Sequence, residues 1–364
     1  MPLSDESYIQ LAIEIAKKGM GNVSPNPLVG CIILKNDKII GAGYHEKFGK
    51  NHAEINAINS SIENLEGSTL FVNLEPCSHF GKTPPCVDKI IEKKIKRVVI
   101  GTRDMNPIVS GNGIKKLKKA GIEVKVGVLE KDCIELNKFF FKFITKKIPF
   151  VTLKTAQTLD GKIADNNGGS KWISSIDSRK YVHKLRSNYD AILVGAGTIF
   201  KDDPSLTVRM VEGRNPKRIV IDSELGLKLD KKIFKNNNDK NLIIIASEKS
   251  ANKYRKIKKL HELGVKVLFV RENDEGLLDL KSALKLLGKM KISSLLVEGG
   301  SKIFSSFIRE NIFDNIFAFI TPKILGNGLS VFENIGINSI RKAIKLRVKQ
   351  VENIGDDILI ELIK

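Results

Sequence analysis

Long apolar runs, cysteine and acidic charge are all scarce in this chain of 364 residues. No uninterrupted hydrophobic stretch approaches the roughly 18 residues of a membrane-crossing helix, which excludes a helical membrane protein. Cysteine occurs four times, as Cys31, Cys77, Cys86 and Cys133. That is too few for a disulfide framework in a chain this long without a secretory signal pattern. Asp5 and Glu6 stand where a signal peptide would carry basic residues, so the expected location is cytoplasmic. Internal repeats and long low-complexity segments are also missing. Asp and Glu number 41 against 61 Lys and Arg, a formal charge of +20. A nucleic-acid partner is one reading of that excess. Lysines spread over solvated helix faces are the other, and it is favoured. They come as scattered pairs such as Lys17-Lys18, Lys93-Lys94, Lys115-Lys116 and Lys231-Lys232, and no block reaches five or six like charges. A basic surface also attracts small phosphorylated substrates.

What is present fits a globular protein of about two domains. Residues 7–19 have helical spacing and end at Gly19 as a C-cap. Strands are expected at 28–34, 39–44, 69–74 and 97–102, with helices at 52–60 and 87–94. This alternation predicts a mixed α/β sheet covered by helices. Phe139-Phe140-Phe141-Lys142-Phe143 and the following Lys146-Lys147-Ile148-Pro149 mark a junction. The aromatic cluster reads as a helix packed between domains rather than as a binding platform. A second alternation starts at Val151, with strands at 151–156, 190–195, 218–222, 241–246, 265–270 and 294–298. Residues 346–351 and 357–363 read as a closing hairpin.

The chemistry concentrates in His52-Ala53-Glu54, Pro76-Cys77 and Cys86. Zinc nucleobase deaminases carry H-x-E followed by P-C-x-x-C. Here eight residues, Ser78 to Pro85, separate the cysteines. A catalytic zinc needs three protein ligands and an open position, and His52, Cys77 and Cys86 supply three. Zinc lowers the pKa of a bound water to about 7. Glu54, two residues from His52, is the candidate acid/base that takes the water's proton and delivers it to the ring nitrogen and the leaving amine. The competing reading is a structural Cys2His2 site with His79 as fourth ligand, on a basic nucleic-acid-binding protein. Glu54 would then be only a carboxylate favoured by a helix N-terminus. Cys31, in an apolar run, reads as core, and Cys133 has no evident partner.

Pro25-Asn26-Pro27-Leu28-Val29-Gly30-Cys31, His52-Ala53-Glu54 and the string from Leu74 to Cys86 resemble the deaminase half of the bifunctional riboflavin-biosynthesis deaminase/reductase family. The long loop between the cysteines separates this family from cytidine and tRNA-adenosine deaminases. The resemblance implies that Asn26, His79 and Lys82 hold the substrate base and its ribose phosphate. Residues 104–113 are similar to another stretch lining that pocket, with Asn106 as a contact. The family usually has Pro where Met105 and Asn51 stand; neither change removes a ligand.

Residues 153–164, 170–174, 202–209 and 297–300 resemble the reductase half. Gly195-Ala196-Gly197-Thr198 follows a strand but leaves G-x-G-x-x-G incomplete at Phe200. Glu298-Gly299-Gly300, opening a helix, is the better anion cradle. By resemblance, NADPH would meet Ala156, Trp172, Thr198, Asp202, Ser223 and the turn Gly300, Ser301, Lys302, Ile303, Phe304, Ser305 and Ser306. The substrate would meet Lys154, Ser170, Asp203, Leu206, Arg209 and Glu298, with Arg209 on the phosphate. The implied fold is α/β: a cytidine-deaminase-like three-layer domain, 1–147, followed by a dihydrofolate-reductase-like α/β domain, 148–364. The implied cofactors are one zinc ion per chain and NADPH. The expected partner is a small phosphorylated pyrimidine, with no nucleic acid and no membrane, on a homo-oligomer.

Overall fold

Residues 3–78, 84–107 and 109–364 are described by the computed structural model. They fall into two units, Met1–Lys147 and Ile148–Lys364. The first contains, in order, α1 (Asp5–Ala16), β1 (Gly30–Lys35), β2 (Lys38–Tyr44), α2 (Ala53–Asn59), β3 (Thr69–Leu74), α3 (Cys86–Glu92), β4 (Arg97–Thr102), α4 (Asn112–Lys119), β5 (Glu123–Val126), α5 (Glu130–Leu136) and α6 (Lys138–Lys146). The strands form one sheet in the order β2-β1-β3-β4-β5. β1 is antiparallel to β2 and β3, and β3, β4 and β5 run parallel.

Period-two alternation splits the strand residues between two cores. Cys31, Ile33, Leu70, Val72, Val98 and Ile100 pack with Ala57, Val87, Ile90 and Leu117 from α2, α3 and α4. Their neighbours Ile32, Phe71 and Val99 pack with Ile9, Ala12 and Ile13 of α1 and with Cys133 of α5. The result is helices on both faces of one sheet. Asp5 in the first turn of α1 ties that helix to the sheet. Both of its oxygens accept from Arg97, at 2.9 Å each, and Lys125 adds a bond of 2.7 Å. The Arg97 hydrogen bonds hold the Asp5 carboxyl down at about 2.

Several sequence expectations shift here. Gly19 is not a left-handed helix cap: α1 stops at Ala16 and a 3-10 turn, Lys17–Gly19, follows. A Cβ on Gly19 would stand 2.5 Å from the His45 carbonyl oxygen, so close packing is what requires glycine there. The aromatic segment is α6, and its Phe140 and Phe141 are buried in the core of the first unit. β5 has no counterpart among the expected strands; its Glu-Val-Lys-Val sequence is a partly exposed sheet edge.

The second unit contains β6 (Phe150–Thr158), β7 (Lys162–Ala164), α7 (Ile176–Asn188), β8 (Ala191–Gly195), α8 (Ala196–Asp202), β9 (Lys217–Ile221), α9 (Lys232–Lys235), β10 (Leu242–Ser247) and α10 (Tyr254–Glu262). It continues with β11 (Lys266–Val270), α11 (Leu280–Lys289), β12 (Ser294–Gly299), α12 (Ser301–Arg309), β13 (Asn315–Thr321), β14 (Leu329–Ser330), β15 (Arg347–Ile354) and β16 (Asp357–Ile363). Nine strands form one sheet in the order β11-β10-β9-β8-β12-β6-β13-β16-β15. Strands β6 and β8 to β13 are mutually parallel, and β16 and β15 close the edge antiparallel. Strand order reverses around β8, β12 and β6, and open parallel sheets bind ligands beyond the carboxyl ends of strands at such a point. Among the described residues no helix is long and apolar enough to cross a membrane.

Candidate active sites

In the first unit, three chain segments deliver the chemistry to one place. His52 sits just outside α2 as its N-cap, with extended backbone (φ −74°, ψ 162°), and Glu54 lies in the first turn. The helix can start there because it lies directly on β2. A Cβ on Gly43 would be 2.4 Å from the Ala57 nitrogen, and one on Gly41 would be 2.5 Å from its oxygen. Cys77 follows β3, and Cys86 is the first residue of α3.

The ligand atoms of His52, Cys77 and Cys86 lie within 4.8 Å of one another. His52 Nδ1 is 3.5 Å from Cys77 Sγ and 3.3 Å from Cys86 Sγ. Zinc bonds of about 2.0 to 2.3 Å in a tetrahedron would put such nitrogen and sulfur atoms roughly 3.6 Å apart, so these residues fit one zinc ion. No further His, Cys, Asp or Glu among the described residues joins them; His79 and Lys82 lie outside the described residues. The Cys86 backbone N–H donates to Cys77 Sγ at 3.4 Å. The hydrogen bond with Cys86 and then that with His52 hold the Cys77 thiol well below its usual value, against burial, which raises it. Glu54 is buried, 3% exposed, and burial pushes its carboxyl up to about 7.

His45, which the sequence motifs do not single out, links this cluster to Asn26. Its ring stands edge-on to His52 with centroids 5.6 Å apart. Nδ1 lies 2.9 Å from the Asn51 carbonyl oxygen and Nε2 lies 3.1 Å from Asn26 Nδ2. A carbonyl can only accept, so Nδ1 carries the proton and Nε2 accepts from the Asn26 amide. The Asn26 oxygen is thereby the end turned away from His45. Asn106 donates its backbone N–H to Asp104 Oδ1 at 2.7 Å.

In the second unit, a cleft of about 1260 Å³ opens beside β6, β8 and β12. It is lined by Lys154, Ala156, Ser170, Trp172, Thr198, Asp202, Asp203, Arg209, Ser223 and Glu298, and by Gly300–Phe304 and Ser306. Leu206 and Ser305 do not line it. Leu206 is buried, and Ser305, on the inward side of α12, accepts the Glu333 backbone N–H at 2.7 Å. The turn into α12 depends on glycine: Gly299 has φ +125°. A Cβ added to Gly300, the N-cap of α12, would lie 3.5 Å from Thr198 Oγ1, an ordinary contact. Ser170 Oγ donates to Asp202 at 3.0 Å, and the Arg179 guanidinium lies 4.0 Å from the centre of the Trp172 ring.

Two further residues complete the floor of the cleft, both on α7. Arg186 grips Glu298 with two bonds, Nε at 2.7 Å and Nη2 at 2.6 Å. Burial alone would raise the Glu298 carboxyl, but the Arg186 charge and hydrogen bond, then Lys154, bring the net shift downward. Burial lowers the nearby Lys154 ammonium. His183 accepts the Arg209 backbone N–H on Nδ1 at 3.0 Å. Burial, then Arg186 and Arg209, push its imidazole down to about 4, so it is neutral. The cleft thus sets an ionised carboxylate among cations, beside a glycine turn that opens a helix.

Residues 2–102 match the family model of the zinc-binding region of cytidine and deoxycytidylate deaminases. Residues 149–360 match the RibD C-terminal domain. The riboflavin biosynthesis protein RibD of Aquifex aeolicus is 48% identical over 98% of this chain and 97% of its own length. The chain belongs to the RibD family. RibD of Escherichia coli is 34% identical over 99% of this chain and all of its own. A RibD-type crystal structure from Thermotoga maritima, a diaminohydroxyphosphoribosylaminopyrimidine deaminase/5-amino-6-(5-phosphoribosylamino)uracil reductase, superposes with a TM-score of 0.86 at 44% identity. It covers 99% of this chain and 98% of its own. This RibD chain is a bifunctional deaminase/reductase of riboflavin biosynthesis, with a zinc-binding cytidine-deaminase-like domain and an NADPH-dependent RibD reductase domain.

Proposed function

We propose that the unit Met1–Lys147 hydrolyses the 2-amino group of 2,5-diamino-6-(ribosylamino)pyrimidin-4-one 5′-phosphate. The unit Ile148–Lys364 then reduces the ribosyl side chain of that product to ribityl. The observation that supports this pairing most is the presence, on one chain, of a three-ligand zinc cluster beside buried Glu54 and of a cation-lined cleft around Glu298.

In the first reaction His52, Cys77 and Cys86 hold the metal. Bound there, zinc supplies the Lewis acidity that makes a water nucleophilic near neutral pH. The Glu54 carboxylate passes one proton from the attacking water to the ring nitrogen and then the second, from the hydroxyl now on the ring carbon, to the departing amine, so water enters and ammonia leaves. Asn26 and Asn106 read the ring edge with amide groups, and His79 and Lys82 hold the base and the ribose phosphate. In the second reaction Arg209 holds the phosphate as a forked donor. Lys154, Asp203 and Glu298 position the opened sugar and handle protons, with Ser170 also on the substrate side. NADPH, which Ala156, Trp172, Thr198, Asp202, Ser223, Gly300–Phe304 and Ser306 would hold, supplies the hydride when bound. Arg186 keeps Glu298 ionised and aimed.

The edge strand β15 exposes Val348 and Val351, which favours pairing between copies and supports a homo-oligomer. The absence of a membrane-length helix among the described residues fits work in the cytoplasm. Removing zinc with a chelator tests the division of labour. Ammonia release is expected to stop, while NADPH oxidation with the deaminated substrate continues. Loss of both together would contradict it.

A further inference from the structure

We propose that Glu75 is a positioning residue of the deaminase site: its carboxylate fastens the segment from Asp104 to Ile114 to the strand end that delivers Cys77. The side chain is 3% exposed and accepts from four backbone N–H groups. Oε2 takes those of Asp104, at 3.3 Å, and Gly111, at 3.0 Å. Oε1 takes those of Gly113, at 3.0 Å, and Ile114, at 3.3 Å. A carboxylate offers about four acceptor sites, so this one is filled by a single chain segment.

Two of those donors are the second and third residues of α4, which have no acceptor inside the helix. The residue before α4, Gly111, has φ +76° and no side chain to cap it. Glu75 supplies the cap from across the sheet, where its charge also suits the helix N-terminus. Close packing points the same way. A Cβ on Gly113 would stand 2.2 Å from the Pro76 oxygen, so the segment is pressed against Glu75 and Pro76. The Glu75 N–H also donates to the Thr102 carbonyl at 2.9 Å, joining the ends of β3 and β4.

The consequence reaches Asn106. Asp104, held by Glu75, accepts the Asn106 N–H on Oδ1. Glu75 therefore sets the position of Asn106 relative to Cys77 without touching substrate. This role rests on the assignment of Asn106 as a contact to the pyrimidine.

Glu75→Gln is the test, in the full-length zinc-loaded enzyme. Glutamine keeps the shape but turns one acceptor into an NH2 that faces two N–H donors, so half the clamp opens. The KM for deamination of the aminopyrimidine phosphate is expected to rise about tenfold or more, the scale of one lost hydrogen bond to a charged group. The kcat and zinc content should change little. Asn106→Ala should raise the same KM, and adding Glu75→Gln to it should change KM little further, because both act through one contact. An unchanged KM in Glu75→Gln alongside a raised one in Asn106→Ala overturns the positioning role and leaves the assignment of Asn106 standing. An unchanged KM in Asn106→Ala removes that assignment and the proposal with it. If Glu75→Gln loses zinc, the shorter carboxylate of Glu75→Asp decides: a raised KM with zinc retained supports the role, and a normal KM overturns it.

Discussion

Glu54→Gln is expected to lower ammonia release by at least about 10²-fold, the scale of a positioned general acid/base, with zinc content unchanged. Glutamine keeps the volume of a side chain that is 3% exposed in the first turn of α2, and His52, Cys77 and Cys86 still converge within 4.8 Å. What it removes is the ability to take a proton from water and give it up again. Ammonia release and metal analysis on the same sample separate the two roles. Retained deamination would show that Glu54 is only a helix-start carboxylate. Loss of zinc together with activity would make it a support for the metal site. NADPH oxidation with deaminated substrate should be untouched, because that chemistry is assigned to the cleft beside β12.

Arg186→Leu should have a comparably large effect on the second reaction. Arg186 and Glu298 are bonded twice, and their side chains are 13% and 8% exposed. Removing one member of a buried pair strands the other charge, at about 3 to 5 kcal/mol. Glu298 would then regain a proton or draw Lys154 towards it, and either outcome dismantles the arrangement that faces the opened sugar. NADPH oxidation is expected to fall to near background and the thermal transition of the second unit to drop, while ammonia release continues. Near-normal NADPH oxidation in Arg186→Leu would mean that Glu298 needs no partner to work.

Local sequence patterns revealed much of the fold. The strands Thr69–Leu74, Arg97–Thr102 and Asp357–Ile363 begin and end where apolar alternation and turn residues put them. Strand β13 escaped notice. Its Asn-Ile-Phe-Ala-Phe-Ile-Thr run is buried between β6 and β16, so it lacks the polar alternation that marks a half-exposed strand. His52, Glu54, Cys77 and Cys86 were legible because zinc chemistry restricts residue type and spacing. His45, Glu75, His183 and Arg186 were not, because each acts through a contact set by the fold. Arg186 and Glu298 are 112 positions apart. Glu75 meets backbone N–H groups, which any residue but proline supplies, so its partners leave no mark in the residue types. The aromatic segment has the same limit: helical spacing shows that α6 has a buried face, but not that Phe140 and Phe141 enter the core of the first unit.

The pairing of two reactions on one chain is the central claim, and product analysis tests it most directly. The purified protein is incubated with 2,5-diamino-6-(ribosylamino)pyrimidin-4-one 5′-phosphate, with and without NADPH, and the products are identified by mass. Without NADPH, the product should have exchanged one amino group for oxygen and released ammonia. With NADPH, it should also have gained two hydrogens on the sugar side chain. Reduction of the substrate before its amino group is lost, or no change in either mixture, would contradict the account.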